Sequence, residues 1–454
     1  MGVVAATAMS FSLVFAQGHT LVIQSGATFS GTGTITVKDS IQNAGISSQT
    51  LIAGKVAMTG ATSVIGTASN GPIKVNTLSI RGSGTTNIPV NMTVTDSLNI
   101  LSGATLNIAG TSDTLNGLTG NSGTYAANTS GSTTIYNASG AQNVMAGNYY
   151  NLTIQNSGTK SAQGAVTVLN GGSLNVANST IFDLGANALT LQMTSTSAVT
   201  NNGTIQTSAT GTAVSTAAQY QIGGTFIYYA SSGSQTVGSA NYNNLTYQNA
   251  GTRAITGTVG IAGTFTVAGT RTYTGSTVNY NGSASFGSLS QNIIGGEAYN
   301  NLGISGGAAQ ADTATHKVVT TGALTLNSGS GVLTLGANTT LDMSGYTGSW
   351  INTSTMQSSS QIMWQGSNAY LGGGGLTQFY GSATGNVAAG TNYGNMFFGG
   401  TGMMTFIGAT TVTGNLTVNS SAQVTVNGSI TVQINGSLNA AGNITNNGNV
   451  TLGN

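Results

Sequence analysis

Tyr242-Asn243-Asn244-Leu245-Thr246 recurs along this 454-residue chain as Tyr150-Asn151-Leu152-Thr153, as Tyr299-Asn300-Asn301-Leu302, and more loosely as Tyr393-Gly394-Asn395-Met396. An eroded copy precedes these at Val75-Asn76-Thr77-Leu78-Ser79. Successive leucine (or methionine) positions lie 74, 93, 57 and 94 residues apart, close to four, five, three and five multiples of about 19. A second marker, Gly-x-Leu/Phe-x-Val/Leu/Ile, keeps similar steps at Leu174, Phe265, Leu324 and Leu416, with Leu98 standing 76 residues before Leu174. Self-similarity of this kind marks a repeat array. Length changes taken in whole coils are what a β-solenoid requires, because a partial loss would slip every strand stacked above it and turn its core side chains to solvent. The expected fold is all-β: a single long β-solenoid (β-helix) with about 19 residues per coil, two or three short strands in each, and tight Gly/Asn/Ser turns. Leu78, Leu152, Leu245, Leu302 and Met396, with Leu98, Leu174, Phe265, Leu324 and Leu416, are the expected core ladder.

The surrounding sequence agrees. Apolar residues alternate with Thr, Ser and Asn, as in Leu106-Asn107-Ile108 and Val424-Thr425-Val426, the period-2 signal of strands with one buried face. Val144, Asn156, Lys160, Val166 and Val168 meet Val237, Asn249, Arg253, Val259 and Ile261 at one offset of 93 residues, which marks a duplication. With 69 Gly, 2 Pro, no Cys and a hydrophobic fraction of 39%, the chain has enough apolar content to fold and too little charge to be a disordered polyelectrolyte.

Along the chain, residues 1–16 read as a secretory signal peptide or a retained apolar N-terminal segment. Residues 17–130 read as eroded coils, 131–342 as regular ones, and 407–454 as C-terminal coils with an open end. The stretch 343–406 holds both tryptophans and six of the twelve methionines, and reads as irregular coils with larger core side chains or an apolar contact surface.

Charge and chemistry narrow the function. Eight basic and seven acidic residues give a net charge of +1, which argues against nucleic acid and against a polybasic membrane surface. Without cysteine there is no thiolate chemistry, disulfide or cysteine metal site. The acids are scattered, and Asp312 with His316 is the one place where a carboxylate and an imidazole lie close, without a nucleophile beside them. No phosphate-loop or calcium-roll pattern recurs. The reading is a non-enzyme with no cofactor, no metal and no small-molecule substrate.

The Tyr-Asn-Asn-Leu-Thr and Gly-x-Leu-Thr-Val copies resemble the repetitive regions of secreted bacterial β-solenoid surface proteins, in the style of filamentous-haemagglutinin adhesins and autotransporter passengers. The resemblance implies an extracellular or cell-surface role. The expected function is a structural subunit of a bacterial filament, partnered by itself as a homopolymer. The candidate inter-subunit contacts are Val3, Met9, Phe11, Leu13 and Phe15 at one end, Ile444, Val450 and Leu452 at the other, and Trp350 and Trp364 between. Near-zero charge removes the repulsion that opposes such contacts. A second reading is a monomeric adhesin or stalk that binds glycans or other cells through Tyr, Trp and Asn. A third is an ice-binding solenoid, suggested by Thr-x-Thr pairs such as Thr32-Gly33-Thr34.

Overall fold

A computed structural model describes residues 12–15, 20–23, 34–38, 40–43, 51–66, 72–108, 112–273, 276–280 and 391–453, together with strand segments between 291 and 387. Among the described residues every regular element is a strand, and the strand pairings are parallel. The chain is a β-solenoid of about 20 residues per turn, close to the 19 that the spacings imply. It forms two compact units, Met1–Gly238 and Ser239–Asn454.

In the first unit each turn has three strands, stacked in three columns that we call faces. The first face runs through Ile73, Met92, Asp113, Thr134, Leu152, Leu174 and Val199. The second runs through Leu13, Ile35, Val56, Leu78, Leu98 and Thr119, and the third through Ile88, Ile108 and, further on, Tyr149, Val168 and Leu191. Alternation sets what is buried: in Thr34–Val37, Ile35 and Val37 point inward while Thr34 and Thr36 stay half-buried. Fully burying each such aliphatic side chain contributes about 1.5–3 kcal/mol. The inward ladders are therefore the main stabilising term, and the parallel register holds them in line.

The two sequence markers turn out to be neighbours. Leu78 pairs with Leu98, Leu152 with Leu174, Leu245 with Phe265, Leu302 with Leu324, and Met396 with Leu416. Each Tyr-x-Asn-Leu coil thus lies directly on a Gly-x-Leu/Phe coil, and the repeating unit is a two-coil module. The asparagine before the leucine sits at a corner between faces and reaches to the next coil. Asn244 Oδ1 accepts from the Thr264 N–H at 3.0 Å, and Asn395 Oδ1 from the Asn415 N–H at 2.8 Å. Asn151 Oδ1 accepts from Ser173 Oγ at 2.9 Å, and in the eroded copy Asn76, two residues before Leu78, accepts through Oδ1 from Thr95 Oγ1 at 2.9 Å. The glycine of the second marker is needed for close approach: a Cβ on Gly172 would stand 1.8 Å from the Tyr150 carbonyl oxygen.

The 74-residue step does not close on one face, contrary to the whole-coil expectation. Leu78 lies on the second face and Leu152 on the first, four turns below Ile73. The step is three and two-thirds turns of about 20 residues, a length that four turns of about 18.5 would equally give. The second unit repeats the effect: Tyr242 pairs with Ile261, Ile261 with Tyr280 and Tyr280 with Ile304, so Leu302 continues the column of the Tyr242 strand rather than that of Leu245. The module marks a corner with its two flanking strands, and different corners hold it.

Candidate functional site

The core holds buried polar and aromatic side chains as well as aliphatic ones. Among the described residues ten tyrosines are fully buried: Tyr125, Tyr136, Tyr149, Tyr220, Tyr228, Tyr242, Tyr247, Tyr280, Tyr299 and Tyr393. Several of their hydroxyls are hydrogen-bonded inside the core. The Tyr136 and Tyr149 hydroxyls share a hydrogen bond of 2.9 Å, Tyr149 Oη donates to the Met145 carbonyl at 2.6 Å, and the Met145 N–H donates to Tyr136 Oη at 3.1 Å. Tyr280 and Tyr299 are joined in the same way at 2.9 Å. Burial pushes the phenols of Tyr125, Tyr136 and Tyr149 above their ordinary range. Tyr149, not Tyr150, is the counterpart of Tyr242. The 93-residue offset between them already held that signal, but the dipeptide Tyr149-Tyr150 obscured it.

The duplication is also structural. Gln142 and Gln235 are both buried, and each uses its amide to staple a turn. Gln142 Nε2 donates to the carbonyls of Leu115 and Gly117, both at 2.7 Å, and its Oε1 accepts from the Ala138 N–H. Gln235 repeats this with Thr207, Ala209 and Ala230. Asn156 and Asn249 hold left-handed turns, with φ of 65° and 64°. Lys160 and Arg253 are buried behind these turns. Lys160 Nζ donates to the carbonyls of Gly140 and Ser157, and Arg253 Nη2 to that of Gln248. Desolvation pulls both cations below their usual range.

Asp113 is fully buried on the first face between Met92 and Thr134. Its Oδ1 accepts from the Met92 N–H at 3.0 Å, while Oδ2 has no partner. Burial pushes its carboxyl well above the ordinary carboxylate range, and the Met92 bond opposes that only in part. Nothing in the sequence distinguishes it from the other isolated acids. Among the described residues no cluster of three His, Cys, Asp or Glu could hold a metal, and no helix is long and apolar enough to cross a membrane. Asp312 and His316 lie outside the described residues.

The structure places the expected core ladder as follows. Leu78, Leu98, Leu152, Leu174 and Leu245 are at 0% exposure, with Met396, Leu416 and Phe265 also buried, and Leu302 and Leu324 occupy paired strand positions. Of the expected contact residues, Leu13 and Phe15 belong to the strand Ser12–Phe15, which pairs with Thr34–Val37, and Trp350 pairs with Leu324. Val3, Met9, Phe11 and Trp364 lie outside the described residues.

Ile444, Val450 and Leu452 come together on one coil. Leu438–Ala440, Asn443–Asn446 and Asn449–Leu452 pair along one edge with Leu416–Val418, Gln423–Val426 and Thr431–Ile434. No strand is laid on their other edge among the described residues. Where Val424, Val432 and Leu416 are buried, the next-coil residues Leu438, Ile444 and Val450 are only half-buried and Leu452 is 56% exposed. Leu438, Ile444 and Val450, but not Leu452, line an apolar hollow of about 240 Å³ together with Phe406, Leu416, Val424 and Val432. A further parallel coil, whether from the chain's own continuation or from another copy, would find a socket here: three strand edges for main-chain bonds and an apolar lining for inward side chains. No family model, curated protein or solved structure matches this chain.

Proposed function

We propose that the chain is a structural subunit of an extracellular bacterial filament or surface fibre, assembled by end-to-end stacking of β-solenoid coils from separate copies. What supports this most is the parallel solenoid itself: each coil of about 20 residues offers the next the same strand edges and apolar columns, so a coil of another copy can stack on one. Contact between two different ends of one molecule is heterologous and propagates as a filament unless the rotation closes. With 15 charged side chains in 454 residues, little repulsion opposes the contact. Activity in this reading is mechanical rather than enzymatic.

The adhesin alternative loses its sugar-stacking platform at the motif, because Tyr242, Tyr299 and Tyr393 face the core. Negative-stain electron microscopy of the purified chain, with sedimentation velocity over a hundredfold concentration range, tests the filament reading. Growing, unbranched fibres are the expected result. A single sedimenting species at the highest concentration, with no fibres on the grid, rejects it.

A further inference from the structure

We infer that the second face of the first unit is a binding surface for an anionic polysaccharide. Lys38, Lys55, Lys74 and Arg81 are half of the chain's eight basic residues, and the parallel register gathers them. Val37 pairs with Met58 and Met58 with Ile80, so Lys38 and Arg81 follow equivalent positions two coils apart, roughly 10 Å at the usual strand spacing. Lys55 lies on the intervening coil, paired with Thr34 and Thr77 at the opposite end of the same face. Lys74 lies on the adjoining first face, between Ile73 and Val75, paired with Ile52 and Thr93. Lys38, Lys55 and Arg81 are exposed and Lys74 is half-buried. None of the four side chains makes a hydrogen bond or ion pair among the described residues. The contrast is with Lys160 and Arg253, which are buried and spend their charge on turn carbonyls. The exposed Asp96 stands at the edge of this face and accepts a hydrogen bond from Thr77 Oγ1 at 3.1 Å, and Asp39 follows Lys38 in the sequence.

The chemistry between the cations selects the partner class. Thr34, Thr36, Thr77, Ser97 and Asn99 stand half-buried in outward rows of this face. Half-buried hydroxyls and amides beside exposed cations, with Ala57 and Ser79 buried in the row between them, match a chain that carries hydroxyls and carboxylate or sulfate groups at intervals. The outward positions of these strands carry no aromatic ring on which a base could stack, and four cations are fewer than duplex recognition commonly uses. They also carry no apolar row of the kind a lipid surface would need. This surface is separate from the socket on Leu438–Leu452, so its test does not depend on fibre formation.

The full chain is passed over immobilised heparin, polygalacturonate and neutral dextran, and its affinity is followed from 20 to 300 mM NaCl. Retention on both anionic polymers, absence on dextran and weakening with salt are expected, since release of counterions drives such binding. Combining Lys38→Gln, Lys55→Gln and Arg81→Gln should weaken binding at least about tenfold and flatten the salt dependence. All three sites are exposed, and circular dichroism confirms that the variant stays folded. No retention of the parent, equal retention on dextran, or an unchanged affinity in the triple variant overturns the proposal. Tighter binding to a DNA oligomer than to either polysaccharide overturns the choice of partner.

Discussion

Gly172 and Asp113 carry opposite kinds of constraint. At Gly172 the constraint is steric: a methyl group there would overlap the Tyr150 carbonyl oxygen at 1.8 Å, and backbone cannot rotate away. Gly172→Ala should cost about 1–3 kcal/mol, the range for an overpacked site, read as a lower urea midpoint with an unchanged m-value. At Asp113 the constraint is electrical. Its folded-state pKa is raised, so below the unfolded value both states hold the proton and the residue costs nothing. As pH rises past the unfolded value, only the unfolded state ionises, and stability falls by about 1.4 kcal/mol per pH unit until the folded pKa is reached. Asp113→Asn removes this loss. Parent and variant should melt alike near pH 4, with the variant increasingly the more stable towards neutrality. Parallel melting curves from pH 4 to 8 would refute this. Neither residue announces itself in the sequence: Gly172 is one of 69 glycines, and Asp113 acquires its character only from the three columns that close around it.

At the level of the coil, the period, the parallel stacking and the buried leucines were all legible, because pleat alternation and quantised spacing are written directly into residue types. What was not legible is which column each copy occupies. Seventy-four residues divide equally well into four short turns or three and two-thirds longer ones, and only the pairing of Leu152 with Thr134 decides. The relation between the two markers was also hidden. Spacing shows that both recur, while the pairing of Leu245 with Phe265 shows that one lies on the other. A deletion pair checks the coil as the unit of length. Gln423 pairs with Asn443, so excising Gln423–Gly442 brings Asn443 into the place of Gln423 and should leave a folded, protease-resistant chain. Excising only Gln423–Val432 cuts mid-face and should expose the chain to limited proteolysis. Equal resistance of the two products would count against the coil as the folding unit.

For the molecule, the scarcity of charge decides how it meets others. Lys160 and Arg253 are turned inward to cap turns, and Lys38, Lys55 and Arg81 share one face, so among the described residues most exposed side chains are uncharged. Assembly through the Leu438–Leu452 socket should therefore be nearly indifferent to salt, unlike binding at the cationic face. A single ionised side chain among the strand edges should be far more disruptive. Val450→Glu buries a carboxylate in the proposed contact and should abolish fibres while leaving the circular dichroism spectrum of the subunit intact. Fibres of normal length from this variant would place the contact elsewhere.

The occurrence of the two-coil module at different corners also bears on how such a chain can be lengthened. A part that fits more than one socket can be copied without being aimed: a duplicated segment ending at any corner finds an apolar column waiting, whichever way it points. Each strand gained or lost upstream turns the later rows by one side of the prism. The core is preserved, while a different strip of threonines, asparagines or lysines is brought round to face the outside. Growth of the array and redirection of its surface are then one event.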